Sequence, residues 1–251
     1  MESQSLFRDT GVHLHSIMDG RTWYYKGSFD KANRTSLNSA RGPGLKDGVM
    51  WAKELKREIP SIKLITDVHS VGQVEKLSDV FDAIQIPAFL CRQTDLLIEA
   101  GKFFSLVNIK KGQWASPKQM QNAADKVRSK NTNAKVWITE RGTFFGYDTL
   151  VVDFAAVPIL SESFDKVILD CTHATQRHYG THTGGDSELA KRYAVSAPIF
   201  GYDGIFAELH PDPTKALSDA ESQIALSDWE TVLQKHDSVK TTVLCYTVRK
   251  N

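Results

Sequence analysis

Cationic and hydrogen-bonding side chains crowd one short stretch, Lys26-Gly-Ser-Phe-Asp-Lys-Ala-Asn-Arg-Thr-Ser36. Lys26, Lys31 and Arg34 fall within nine residues, interleaved with Ser28, Asn33, Thr35 and Ser36. Cations at several depths, with neutral donors between them, suit a ligand that carries phosphate and hydroxyl groups. On charge alone such a stretch is more often a solvated basic loop. Its weight comes from polar residues that recur at the ends of apolar runs: Lys26, Asp67, Gln85, Lys110, Arg141, His173 and Glu208. Lys110 and Arg141 stay cationic at neutral pH, and strands sharing a barrel mouth would converge them on one phosphate. Strand-end cations beside acids such as Glu140 are equally often plain surface residues. By strand parity Lys111 faces away from Lys110 and is the weaker candidate. His173, Glu208 and Asp219 are too dispersed for a short metal motif, and a lone strand-end histidine is more commonly structural.

Strands and helices must alternate to place these residues. Strands are expected over 22–25, 63–66, 82–86, 103–110, 135–140, 166–170 and 203–207. Helices are expected over 4–18, 45–58, 71–77, 92–100, 117–129, 150–160, 187–197 and 221–235. Leu6, Val12 and Ile17 are apolar positions of the first helix, and Ser116-Pro117 reads as an N-cap with proline at N1. Arg41-Gly-Pro-Gly44 closes the cationic loop and starts a helix. Strand–helix alternation with short connections means parallel strands, in an open sheet or a closed barrel. No G-x-G-x-x-G follows a first strand, so no nucleotide or flavin is expected. Polar residues at the ends of many strands favour the barrel. Seven strands are legible, one short of a closed (β/α)8 barrel. The tail Thr241-Thr-Val-Leu-Cys-Tyr-Thr-Val248 is β-branched and reads as a strand.

The chain has 251 residues, 41% hydrophobic and 24% charged, which suits one α/β barrel domain over 1–251. A net charge of +1 gives no bulk argument for nucleic acid or an anionic membrane. Cys91, Cys171 and Cys245 form no C-x-x-C pair, so a cytoplasmic location is expected. No signal peptide or bilayer-spanning run is evident; Val151–Leu160 is short and carries Asp153 and Pro158. Cys171, beside acidic Asp170, reads as a structural thiol. Gly184-Gly185, followed by Asp186, reads as a hinge rather than a phosphate cradle. His178 and His182 are expected in solvent.

Ser28-Phe-Asp-Lys-Ala-Asn-Arg-Thr-Ser36 followed by Arg41-Gly-Pro-Gly44 resembles the signature loop of the 3-deoxy-D-manno-octulosonate 8-phosphate synthase family. Thr66-Asp-Val-His69, Gln85-Ile-Pro-Ala-Phe-Leu-Cys-Arg-Gln-Thr-Asp95, Asn108-Ile-Lys-Lys111, Glu140-Arg-Gly142, Phe145-Gly-Tyr147 and Glu208-Leu-His-Pro-Asp212 continue it in order. The resemblance runs through the region 2–238 and leaves 239–251 as a divergent tail. It aligns Glu2-Ser3 just after the family's first strand, so that strand is expected to be absent from this chain.

The resemblance implies a TIM-type barrel and an aldol-type condensation of phosphoenolpyruvate with D-arabinose 5-phosphate, in lipopolysaccharide precursor synthesis. It implies phosphoenolpyruvate binding by Lys26, Lys110 and Arg141. Lys31, Asn33, Arg34 and Thr35 would take arabinose 5-phosphate, with Lys31 near the aldehyde and Arg34 reaching across a subunit boundary. A homotetramer is the expected assembly. His173, Glu208 and Asp219 match three of four positions that hold a divalent ion in the metal-dependent branch. Ala216-Leu-Ser-Asp-Ala-Glu-Ser-Gln223 and Thr139-Glu-Arg-Gly142 resemble that branch, and the fourth ligand is a cysteine of the first strand. Asp67, His69 and Gln85 would support the ligands and move protons, with His173 beside the enolpyruvyl group. Two alternatives stand beside this reading. One is a phosphoenolpyruvate-dependent synthase for another aldose phosphate. The other is a catalytically impaired barrel that binds ligand or a partner subunit.

Overall fold

The computed structural model describes residues 1–33, 37–179 and 182–248. Arg34 and Thr35, two of the expected sugar-phosphate residues, lie outside them, as do the side chains of His178 and His182. The described chain forms two compact units, Met1–Lys110 with Asn122–Val136 and Lys111–Gln121 with Trp137–Asn251.

In the first unit, α1 (Gln4–Ile17) starts where the Ser3 hydroxyl accepts the Leu6 N–H at 3.2 Å. Its buried face is Phe7, Thr10, Gly11 and Leu14, the i, i+3, i+4, i+7 stripe of a helix. The apolar Val12 lies off this stripe and is 37% exposed. Phe7 stacks on Tyr25 at 4.9 Å, and the Tyr25 hydroxyl donates to the Phe7 carbonyl at 2.9 Å. A Cβ on Gly11 would come within 2.9 Å of both Leu55 and Tyr25, so only glycine admits this close packing. Strands β1 (Tyr25–Lys26), β2 (Leu64–Asp67), β3 (Ala83–Ile86) and β4 (Leu106–Lys110) are parallel and lie in sequence order. Helices α2 (Leu45–Glu58), α3 (Val71–Ser78) and α4 (Thr94–Phe103) lie between them in the chain, the last starting two residues later than expected. Leu64, Ile84, Ile86, Val107 and Ile109 are fully buried, which is why these strands read as continuous apolar runs.

The pattern continues along the chain after β4. Ser116 and Gln119 cap α5 (Pro117–Arg128) reciprocally, at 3.3 and 3.2 Å. β5 (Lys135–Glu140) pairs in parallel with β6 (Lys166–Asp170) from Trp137 onward. α6 (Ala156–Ser161) is shorter than the helix expected from residue 150. Val151 is held extended by two bonds to Thr143, at 2.8 and 3.0 Å, and the Asp153 carboxylate accepts the Ala155 N–H at 3.0 Å. A short hairpin, β7 (Arg177–Tyr179) with β8 (His182–Gly184), precedes α7 (Ser187–Ser196). β9 (Gly204–Phe206) pairs in parallel with β6, and β10 (Leu209–His210) with β11 (Ile224–Ala225).

The last helix, α8, runs Leu226–Val248. It begins after the expected residue 221 because Ser222 and Gln223 turn back on the Asp219 carbonyl at 3.0 and 3.1 Å. It also absorbs the tail, so 241–248 is helix and not the expected strand. An upstream helix is already nucleated there, and the Thr241 and Thr242 hydroxyls donate to the carbonyls of Asp237 and Ser238, each at 2.9 Å. Parallel strands in sequence order, with helices between them, are the pattern of a TIM-type barrel. All seven expected strands are present, and no strand precedes α1 among the described residues. No described helix is long and apolar enough to cross a membrane.

Candidate active site and metal centre

In the first unit strand register decides which side chains share a face. Lys26 pairs with Ile65, Asp67 with Gln85, and Gln85 with Asn108. Side chains alternate along a strand, so Lys26, Asp67, Gln85, Asn108 and Lys110 lie on one face. Lys26 Nζ stands 3.8 Å from Asp67 Oδ1, and His69 Nε2 stands 3.3 Å from Asp67 Oδ2. Burial would push the Asp67 carboxyl up, but the Lys26 cation and the His69 hydrogen bond hold it well below the usual carboxylate range. Phe29 meets the His69 ring edge-on at 5.6 Å, and Gln73 accepts the His69 and Ser70 N–H groups at 2.9 and 3.2 Å. Gln85 and Lys110 are both buried. Among the described residues Gln85 Oε1 and His69 Nδ1 have no hydrogen-bond partner, as ligand-facing polar atoms would.

The loop after β1 is pinned at its base. Arg41 grips Asp30 bidentately at 2.7 and 2.6 Å, Lys31 N–H donates to the Arg41 carbonyl at 2.6 Å, and Gly44 N–H to that of Phe29 at 2.9 Å. Gly42 is required here: its φ is +118°, and a Cβ would lie 2.8 Å from the Phe29 carbonyl oxygen. Lys31 is half-buried and Asn33 exposed at the rim of this loop.

The second unit holds a denser cluster. Asp170 ends β6, and its carboxylate accepts the His173 backbone N–H at 2.9 Å and faces His173 Nδ1 at 2.8 Å. That fixes Nδ1 as the protonated nitrogen and leaves Nε2 as a ligand atom. His173 Nε2 lies 3.5 Å from Glu208 Oε1. His173, Glu208 and Asp219 each offer one donor atom, all within 4.8 Å of one another. One imidazole nitrogen and two carboxylates, with the imidazole held by a carboxylate from behind, fit a divalent cation. Thr172 donates to Asp170 and accepts the Glu208 N–H, each at 3.2 Å, tying two of the acidic residues together. Asp219 sits at φ +53°, a backbone conformation that aspartate tolerates better than most residues.

Arg141 follows β5, and its Nη2 donates to Gln176 Oε1 at 2.8 Å. The Gln176 amide nitrogen in turn donates to Asp219 Oδ1 at 3.2 Å. Burial pulls the Arg141 guanidinium down, while Asp170, Asp219, Glu140 and Glu208 oppose that pull. Arginine stays charged through such a shift, so a buried cation is presented among carboxylates. Lys111 is fully buried and turned to a different task. Its Nζ lies 3.3 Å from Glu140 Oε2 and donates to the carbonyls of Gly112 and Ala115 at 3.3 and 3.2 Å. Glu140 also accepts the Gly142 N–H at 2.6 Å; burial nonetheless pushes its carboxyl up.

The structure thus gathers Lys26, Asp67, His69, Gln85 and Lys110 in one unit, and Arg141, His173, Glu208 and Asp219 in the other. Asp170, Thr172 and Gln176 were not among the expected residues. An acid ending a strand three residues before a histidine is a usable signal for Asp170; nothing in the sequence marks Gln176. Cys171 is buried, with its thiol 3.6 Å from the Leu169 carbonyl, as a structural thiol would be. Gly185 is a close-packing position, since a Cβ would lie 2.5 Å from Ser222.

The model of the DAHP synthetase I family matches residues 1–244. A 2-dehydro-3-deoxyphosphooctonate aldolase of Desulfotalea psychrophila is 42% identical over 97% of this chain and 88% of its own length. Proteins of the same name from Geotalea daltonii and a Geobacter species are 44% and 41% identical, covering 87% and 97% of this chain and 80% and 90% of theirs. With a family match over nearly its whole length and such relatives beside it, the chain belongs to the DAHP synthetase I family, among its 2-dehydro-3-deoxyphosphooctonate aldolases.

Proposed function

We propose that this chain condenses phosphoenolpyruvate with D-arabinose 5-phosphate and water to give 3-deoxy-D-manno-octulosonate 8-phosphate and inorganic phosphate. The observation that carries the reading is the match over 97% of the chain to a relative whose name is that of this aldolase. In the reaction C3 of phosphoenolpyruvate bonds to the aldehyde carbon of the sugar, water adds at C2, and phosphate leaves from C2.

Phosphoenolpyruvate recognition is assigned to Lys26, Lys110 and Arg141, as the family resemblance implies. Charge-assisted bonds from Arg and Lys suit both its phosphate and its carboxylate. Lys31, Asn33, Arg34 and Thr35 are assigned to arabinose 5-phosphate, with Lys31 donating to the aldehyde oxygen as negative charge develops there. Asp67, ionised at neutral pH, holds His69 by its Nε2, so His69 can carry a proton at Nδ1. Gln85 orients ligand through its buried amide oxygen.

His173, Glu208 and Asp219 would hold a divalent metal, which supplies Lewis acidity toward an aldehyde oxygen or a water when bound. Asp170 keeps His173 in the ligating tautomer. We extend the proposal to a single barrel domain over 1–251, a homotetramer and a cytoplasmic location. Cys91, Cys171 and Cys245 form no disulfide among the described residues, in keeping with that compartment.

The test is a substrate panel. Phosphoenolpyruvate is supplied with arabinose 5-phosphate, erythrose 4-phosphate or ribose 5-phosphate, and phosphate release and sugar-acid product are both quantified. Turnover selective for arabinose 5-phosphate is expected. Preference for another aldose phosphate would reassign the substrate, and binding without turnover would reassign the protein as a ligand-binding barrel. Light scattering tests the tetramer, and a stable active monomer would contradict it.

A further inference from the structure

We infer that Gln176 is a positioning residue that ties the Arg141 guanidinium to the Asp219 carboxylate, so that a divalent cation and a phosphate-bearing anion bind with linked affinities. The inference rests on the function proposed above and goes beyond it in assigning a role to a residue that touches neither ligand. Gln176 closes the short turn His173–Thr175, where its N–H donates to the His173 carbonyl at 3.2 Å. Its side chain then reaches in two directions, accepting from Arg141 Nη2 at 2.8 Å and donating to Asp219 Oδ1 at 3.2 Å.

The two partners fix the amide. A guanidinium has only donors and a carboxylate only acceptors, so the oxygen must face Arg141 and the nitrogen must face Asp219. An amide offers an acceptor and a donor side by side on one rigid planar head, which suits it to bridge a guanidinium and a carboxylate. The ends of the bridge are themselves constrained. Arg141 is buried among carboxylates, and Asp219 is held at positive φ by the Ser222 and Gln223 N–H groups on its carbonyl, at 3.0 and 3.1 Å. Movement of Asp219 toward a cation therefore pulls on the amide, and the amide on the guanidinium. An anion that reorients Arg141 acts on Asp219 in reverse. Linkage makes the two effects equal in free energy.

The experiment is calorimetric titration of Mn²⁺ and of phosphoenolpyruvate, each alone and each with the other saturating. It uses the full chain, stripped of metal, as wild type, Gln176→Met and Gln176→Glu, with thermal melting to verify folding. In the wild type each ligand is expected to change the other's dissociation constant by about fivefold or more, equally in either order. Gln176→Met keeps the length of the side chain and loses both bonds, and its factor is expected near one. Gln176→Glu still accepts from Arg141 but sets a second carboxylate against Asp219. It should bind Mn²⁺ more tightly and phosphoenolpyruvate more weakly, a split that loss of packing would not produce. A wild-type factor retained in Gln176→Met, or both affinities moving the same way in Gln176→Glu, overturns the inference. Binding of both ligands to the wild type without linkage overturns it alone. Binding of neither ligand overturns the proposed function and the inference together.

Discussion

The Asp67 cluster and the His173 cluster each set a histidine against carboxylates, yet their charges balance in opposite ways. At Asp67 one carboxylate faces a lysine at 3.8 Å and a histidine at 3.3 Å. Its counter-cation is part of the chain. At His173 three carboxylates, Asp170, Glu208 and Asp219, surround one imidazole, and Arg141 is the cation whose charge they act on. Buried charge must be matched or it is expelled as a pKa shift. Where the chain supplies the match, a metal would add nothing; where carboxylates outnumber built-in cations, a divalent ion would complete the balance. Under the proposed function, the first group is assigned to proton handling and the second to holding a cation.

The largest expected effect breaks the second cluster at its cation. Arg141→Ala should weaken phosphoenolpyruvate binding by about 2–5 kcal/mol, the cost of removing one partner of a desolvated charge pair. Calorimetry should show that loss while Mn²⁺ affinity holds or rises, since the carboxylates lose a competitor. A parallel fall in both would erase the distinction between the clusters. Next comes the first cluster's cation. Lys26→Met leaves Asp67 without its lysine and should cost about 3 kcal/mol in urea unfolding, at the low end for a broken buried pair. Added Mn²⁺ should restore none of it, and restoration would mean the first cluster also takes a metal.

Asp170→Asn is expected to weaken Mn²⁺ binding about 10- to 100-fold, as loss of a ligand-orienting carboxylate does elsewhere. An unchanged affinity would show that His173 does not ligate through the nitrogen Asp170 leaves open. The smallest effect is a pH dependence at Asp67. Its carboxyl is held below the ordinary range in the folded chain, so the unfolded chain binds the proton first as pH falls. The stability it contributes is therefore full above about pH 5 and declines as pH drops through roughly 3.9 and below. Asp67→Asn should remove that part of the acid sensitivity. Identical acid limbs in the two proteins would contradict the assigned charge state.

The strands were legible because most are buried on both faces, β2, β3 and β4 throughout, which writes short apolar runs such as Val167-Ile-Leu169 into the sequence. Parity then carried the reading further: Lys110 and Lys111 were separated by it, and Lys111 indeed pairs with Glu140 in the core. The tail was misread because β-branched residues are only a weak vote against a helix already under way, as at Thr241. The 150–160 helix was misread because a pair of backbone bonds between Thr143 and Val151 outweighs local propensity. His173 and Glu208 stood out as strand-end polar residues, but they were joined with Asp219 into a metal set through the family pattern alone. Asp170 had a signal in its spacing before His173, whereas the two bonds of Gln176 depend on side-chain orientation and left no trace in the sequence.

Whether the acid-rich cluster serves the condensation is tested most directly by one comparison. Phosphorus NMR is recorded on phosphoenolpyruvate with arabinose 5-phosphate, using the chain stripped of metal by chelation and the same chain reloaded with Mn²⁺ that is removed again before acquisition. The reloaded chain should convert phosphoenolpyruvate to inorganic phosphate one-for-one with a new sugar-acid phosphate ester, and the stripped chain should be slower by orders of magnitude. Equal conversion by the two, or conversion by neither, would contradict the assignment of His173, Glu208 and Asp219 as the metal centre of this reaction.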